Sequence, residues 1–445
     1  MYQFPANFYS DVRIEDVTNT TIKFENGKLR QRKVRTQKGA FLRLYDGKRW
    51  YYASVTDLAS VQSELNALAA MARPNEDILR DPVVRRFQVN RDEVLRYQEK
   101  DLRRVPAAEK QAMVEHYAKL FEGVREIATC FAGYVDTHSE RWFYSSLGAD
   151  IHYDYQHAGL AMGYTLKVGN APTSGYDRKF SLDFEGLKGH EDYFRKELAS
   201  SLDYAKNAVP VEPGTYTCVL APVVTGVFAH ESFGHKSESD FMLGSETMRK
   251  EWAIGTRVGS DSLNILDSGI PEGSGYVPYD DEGTRATKTY LVKNGILAGR
   301  LHSAATAAAL DEAVTGNARA KDFEFEPIVR MTTTYIGGGE DTLEDLLAGA
   351  EGGIYISDLS YGTGMSTFTI APSRAYRIRG GKIAEPVRVS VISGNVMETL
   401  HKIDGATKDV ELCHSAFGGC GKMEQGPLRV SDGGSYIRVR DITVQ

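Results

Sequence analysis

The chain has 445 residues, 42% of them hydrophobic and 25% charged, enough to bury more than one core. Its formal net charge of -7 argues against a dedicated nucleic-acid binder, which carries a basic excess. No stretch approaches the roughly 20 apolar residues of a membrane span, and no basic region followed by an apolar run opens the chain. Four cysteines in this length make no disulfide framework, so a reducing, cytoplasmic setting is expected.

In chain order, the first signal is a hairpin. TIKFENGKLRQ places Asn26-Gly27 between alternating runs. A second pair turns at Asp46-Gly47 into WYYASV. The basic run from Lys28 to Arg35 reads as one solvated strand face. Leu58, Val61, Leu65 and Leu68 recur at helical spacing and predict a helix from Thr56 to about Met71. A second helix is expected from about Ala107 to Glu122. An antiparallel meander follows, ending with AMGYTLKVG, and a helix from about Asp192 to Ala208 closes this half. Pro210 and Pro213 bracket a domain boundary.

The second half is rich in strand signals and glycine. YLVKNGIL (290–297) and YRIRGGKI (376–383) both read as hairpins with Gly turns. Helices are expected around His230, Ser303–Ala313 and Leu343–Ala350. The fold class is therefore α+β. Residues 1–209 form an N-terminal domain of antiparallel sheet and helices. Residues 210–445 form a mainly antiparallel β domain, a curved sheet or irregular barrel.

Residues 230–240 read HESFGHKSESD, with the core His-Glu-x-x-x-His. A zinc hydrolase needs neutral nitrogen or anionic ligands, an open position for water and a base beside it. His230 and His235 offer imidazoles, and Glu231 offers the base. With ten His and 60 acidic residues, chance supplies about 0.03 such matches. Histidines i, i+5 apart turn through about 500° on a regular helix, which leaves the rings about 140° apart and unable to share an ion. A π-type widening or a helix end is therefore predicted at Phe233–His235, with Gly234 relaxing the backbone. Cys420, between Gly419 and Gly421, is a candidate thiolate ligand. Cys413, followed by His414, competes with it.

Other clusters read more blandly. Glu238 and Asp240 are taken as a solvated face rather than as supports for a ligand imidazole. Asp280, Asp281 and Glu282 are taken as a hairpin start. Gly337–Gly339 is taken as a loop leading to an Asp341 helix cap. Gly362-Thr363-Gly364 reads as a bulge at least as well as a close-approach site.

Together, the His230–His235 motif, YDDEGT (279–284), LVKNGILAGRLHS, TGNARA (315–320), and GGCGK with the terminal RVRDITV resemble the TldD metallopeptidases of the TldD/PmbA family. Members are also called modulators of DNA gyrase. The resemblance spans roughly residues 10–445. It implies a two-domain protein that dimerises around a narrow channel, with itself or with a PmbA-type subunit, and cleaves short or unfolded peptides. It implies one zinc per chain on His230, His235 and Cys420, with Glu231 as base. PmbA-type partners lack the His-Glu motif. ESFGHKSESD departs from the smaller apolar residues usual after the first His, and from the Gly usual after the second. The alternatives are a non-catalytic regulatory protein of the gyrase-modulator type and a metal-dependent amidase acting on non-peptide amides.

Overall fold

A computed structural model describes residues 2–168 and 171–445. The N-terminal half is built on a long twisted sheet. Strands β1 (Tyr9–Glu25) and β2 (Lys28–Tyr45) pair antiparallel through the Asn26-Gly27 turn. Both turn residues have positive φ, 47° and 74°, as the tight hairpin turn requires. β3 (Trp50–Val55) pairs only with Ala40–Tyr45, so Lys28–Gln37 is left as an exposed edge. On the other side of β1 come β5 (Ile127–Ser145) and β6 (Asp150–Val168). β4 (Arg91–Val94) and β7 (Ala171–Ser181) share the far edge of β6, parallel and antiparallel respectively. Gly169, the last residue of the predicted AMGYTLKVG strand, lies outside the described residues.

Apolar periodicity decides what covers this sheet. α1 (Val61–Met71) buries Val61, Leu65 and Leu68 against Val12, Leu42 and Leu44. α2 (Ala107–Ala118) and α3 (Glu191–Asn207) bury Met113, Val114, Phe194 and Leu198 against Ile22, Tyr134, Leu160 and Met162. Expected and observed helix limits differ by a few residues, because short 3-10 turns carry the ends at Leu58–Ser60 and Lys119–Phe121.

In the C-terminal half, five strands close a ring among the described residues. Ile354–Thr363 pairs in turn with Gly214–Leu220, then Ile437–Val444, Ile392–Asn395 and Thr367–Arg379, which returns to Ile354–Thr363. The irregular barrel expected from sequence is thus this ring. A second sheet runs Lys288–Lys293, Ile265–Ser268, Thr333–Ile336, Ser431–Gly434 and Glu411–His414. Three short helices escaped the sequence reading: Asp240–Leu243, Glu246–Glu251 and Val396–His401. They span barely more than a turn and leave no periodic signal. The Leu343–Ala348 helix is capped by Thr342 with Asp345, not by Asp341, whose carboxylate accepts from Ala406 N.

The YDDEGT turn is no mere hairpin start; it docks the two halves. Asp280, Asp281 and Glu282 are all buried. Asp280 accepts from the N–H groups of Glu282, Thr284 and Ala318. Asp281 accepts from Arg141 of β5 at 2.6 Å and from Ala320 N. Glu282 accepts from Arg43 of β2 at 2.9 Å and from Ala304 N. Arg13 and Glu15 of β1 complete the cluster, with Glu15 3.0 Å from Arg13 and 3.3 Å from Arg141. Removing one partner of such a set leaves a buried charge uncompensated. Asp281→Ala is expected to cost about 3–5 kcal/mol, seen as an earlier midpoint in urea unfolding.

Candidate metal centre

The chain leaves the ring strand Gly214–Leu220 and turns at Ala221-Pro222 into α4 (Pro222–Ala229), with Pro222 at the first turn where its missing N–H costs nothing. α4 packs between the ring and the second sheet. Gly226 makes that fit possible: a Cβ there would stand 2.3 Å from Gly433 N. α4 runs directly into a π-helical turn at His230–Gly234, closed by a hydrogen bond from His235 N–H to His230 O. The extra residue is absorbed in the widened turn. His230 and His235 therefore share one face, as histidines i and i+4 do on a regular helix. Their ring centroids lie 5.2 Å apart.

The widening falls where the spacing requires it, but Gly234 serves it differently from the expectation. Its φ and ψ are -55° and -55°, ordinary right-handed values open to any residue. What opposes a side chain is Met331, whose Sδ would be 1.8 Å from a Cβ and would have to move.

Cys420 arrives from the other end of the domain. It sits on the hairpin Cys420–Lys422 with Gln425–Leu428. Buried Arg330 clamps that hairpin by donating to Cys420 O at 2.8 Å and Gln425 O at 2.9 Å. Cys420 Sγ lies 3.4 Å from His235 Nε2. One ligand atom each from His230, His235 and Cys420 falls within 4.8 Å of the others. Cys413, the competing cysteine, lies outside this group on the strand Glu411–His414, where burial pushes its thiol up.

The surroundings correct the reading of Glu238 and Asp240. Glu238 is 0% exposed. Its Oε2 is 3.1 Å from His235 Nδ1, which turns Nε2 of that ring toward Cys420. Lys422 Nζ stands 3.1 Å from the same Oε2 and 2.7 Å from Asp240, and it donates to Val329 O. Lys422, two residues past Cys420, thus ties the cysteine hairpin to the histidine helix. His230 Nδ1 is buried without a hydrogen-bond partner among the described residues. Gly364, from the Gly-Thr-Gly segment, lies against the main chain of Glu231.

Charge follows from this crowding. Burial alone would raise the Cys420 thiol, but His230 and His235 outweigh it and bring it down to about 5. Burial would lower His235, but Cys420 and Glu238 raise it to about 10. His230 is likewise raised, with Cys420 overcoming burial. Burial holds the Glu231 carboxyl above its ordinary range despite both imidazoles. A thiolate and two imidazole nitrogens at these separations suit a zinc ion, for which tetrahedral ligand atoms stand about 3.5 Å apart. The Glu238 contact to the remote nitrogen of His235 is the support such a ligand usually has.

The sequence profile of the PmbA/TldA metallopeptidase C-terminal domain matches residues 213–445, and that of domain 1 matches residues 10–73. The chain belongs to this family. A metalloprotease of Synechocystis is 34% identical over 100% of this chain and 96% of its own length. A zinc metalloprotease TldD homologue of Saccharolobus solfataricus is 34% identical over 55% of this chain and 54% of its own. In fold, a Thermotoga maritima protein described as a modulator of a DNA gyrase superposes with a TM-score of 0.78 at 18% identity, covering 98% of this chain and 96% of its own. No helix among the described residues is long and apolar enough to cross a membrane.

Two substitutions test the seat of the π turn. Gly234→Ala is expected to destabilise by about 1–3 kcal/mol through overpacking. Adding Met331→Ala should return part of that loss, so the two effects in urea unfolding are less than additive.

Proposed function

We propose that this chain is a zinc-dependent peptidase in which His230, His235 and Cys420 hold the metal and Glu231 is the general base. The convergence of His235 and Cys420 carries the reading: residues 185 apart in sequence meet at 3.4 Å beside a half-buried Glu231, whose carboxyl desolvation raises. Membership of a metallopeptidase family supports it. Zinc bound there supplies Lewis acidity to water and to a peptide carbonyl. Glu231 takes the proton of the attacking water and returns it to the leaving amine, breaking the C–N bond. Burial raises its carboxyl from the ordinary carboxylate range, the direction that strengthens it as a proton acceptor. Glu238 orients His235, and Lys422 balances Glu238 so that a neutral imidazole is not asked to carry the carboxylate alone. The substrate is proposed to be a short or unfolded peptide, lying extended along a sheet edge, so that backbone is read more than side chains.

Metal content of the purified, zinc-equilibrated protein is the first check. About one zinc per chain is expected, with affinity lowered at least about tenfold in Cys420→Ser. Glu231→Gln should keep the zinc and lose peptide hydrolysis by about 10²-fold or more. Full activity in that variant would remove Glu231 from the mechanism. The charge states give a second check. At pH 7 the Cys420 thiol, at about 5, is already ionised, whereas His235, at about 10, is protonated. Zinc binding must displace imidazole protons and none from the thiol. Zinc addition in weak buffer should therefore acidify the solution, and affinity should fall as pH is lowered. A pH indicator reads the release.

A further inference from the structure

Between the N-terminal sheet and the Cys420 hairpin lies a cavity of about 380 Å³, within the range of ligand pockets. Gly418 and Leu428 form part of its wall. Leu428 is the cross-strand partner of Cys420, so this wall stands about 5 Å across the hairpin from the backbone of Cys420. Adjacent residues of an extended peptide are about 3.3 Å apart. A peptide at the metal therefore reaches the cavity within a few residues.

The charge in the cavity does not balance. Glu15 and Asp281 on its walls are answered by Arg13 and Arg141. That leaves three cations on the wall: Arg319, Lys321 and Arg429. Arg319 is 3% exposed and, among the described residues, donates only to the carbonyls of Met331 and Arg429. Arg429 donates to the carbonyls of Ser274 and Tyr276 and stacks 3.5 Å over the Tyr155 ring. Lys321 lies 5.4 Å from the Phe325 ring. None of the three is ion-paired among the described residues. One carboxylate, Asp322, offsets part of the excess, and it accepts from Glu324 N. Burial, then Arg429 and Arg330, draw the Arg319 guanidinium down to about 9, the direction of a site short of negative charge. His157 on the same wall is held neutral, at about 3, by burial and by Arg429. Lys321 and Arg429 are half-buried, but Arg319 is buried, and a buried cation without a counter-ion is costly; a ligand that brings the missing charge recovers that cost.

We propose that this cavity receives a carboxylate of the bound peptide, either its terminal carboxylate or an acidic side chain. The site thereby favours acidic peptides over neutral ones. The proposal rests on the peptide-substrate reading above, but it is tested by binding rather than by turnover. Three hexapeptides of one sequence carry an amino-terminal fluorophore. One ends in a free carboxylate, one in an amide, and one in an amide with a single Asn replaced by Asp. Anisotropy titrations use the zinc-loaded full chain carrying Glu231→Gln, and hydrolysis by the wild type is followed separately. At least one carboxylate peptide is expected to bind about tenfold more tightly than the neutral amide. The peptide that gains identifies the source of the carboxylate. Lys321→Met should bring the ratio toward one, and Asp322→Asn should widen it. Equal affinities for all three peptides, no binding of any, or a preference that neither substitution moves would overturn the proposal. A wild type that cleaves none of them, beside a tenfold preference that responds to both substitutions, would uphold the cavity's role and remove the peptidase reading.

Discussion

Two imidazoles five residues apart can face one point only if the helix between them gives up its regular turn. The C-terminal half is arranged around that departure. The helix is seated against a strand so closely that Gly226 meets Gly433 with no room for a side chain. Met331 fills the groove beside the widened turn, and any side chain at 234 must displace its thioether. Glu238, just beyond, is fully buried because it must reach back to His235. A π turn is rare and occurs mostly as a single widened turn inside an α-helix. It persists here because the ring, the second sheet and the cysteine hairpin all press on it.

The second organising contact is electrostatic. The acidic turn at 280–282 sends each carboxylate to a different neighbour, two of them to arginines on the N-terminal sheet. Geometry of this kind sets orientation more than it adds stability, since desolvation consumes much of the attraction. Ala416 and Phe417, just before the cysteine hairpin, lie against Gly159 of β6. The N-terminal sheet is thus one wall of the space beside the candidate metal centre, and the docking fixes how wide that space is.

Local chemistry was legible in the sequence wherever the signal was short-range. Asn26-Gly27 gave its hairpin, and Val61, Leu65 and Leu68 gave the buried face of their helix. The i, i+5 spacing demanded the distortion that is found. Cys420 was legible as a candidate through its flanking glycines and the family resemblance, but choosing it over Cys413 needed three dimensions. Glu238 and the 280–282 turn were misread because acidic residues in polar surroundings look solvated when their partners lie far along the chain. Lys422 is 182 residues from Asp240, and Arg141 is 140 from Asp281. The Lys two positions after Cys420 was the available clue for Glu238, because a buried lysine needs a carboxylate. Gly234 was assigned a backbone role when its constraint is steric, and no local pattern could name Met331.

The ring has a consequence for the order in which the molecule is made. Its strand Gly214–Leu220 leads straight into the histidines, yet it is held on one side by Ile437–Val444. Cys420, Lys422 and that closing strand all emerge from the ribosome some 185 residues or more after His235. A growing chain that already displays HESFGH therefore has neither the thiolate nor the clamp that completes the centre. The nascent polypeptide carries no completed candidate centre until nearly all of the C-terminal half exists to enclose it.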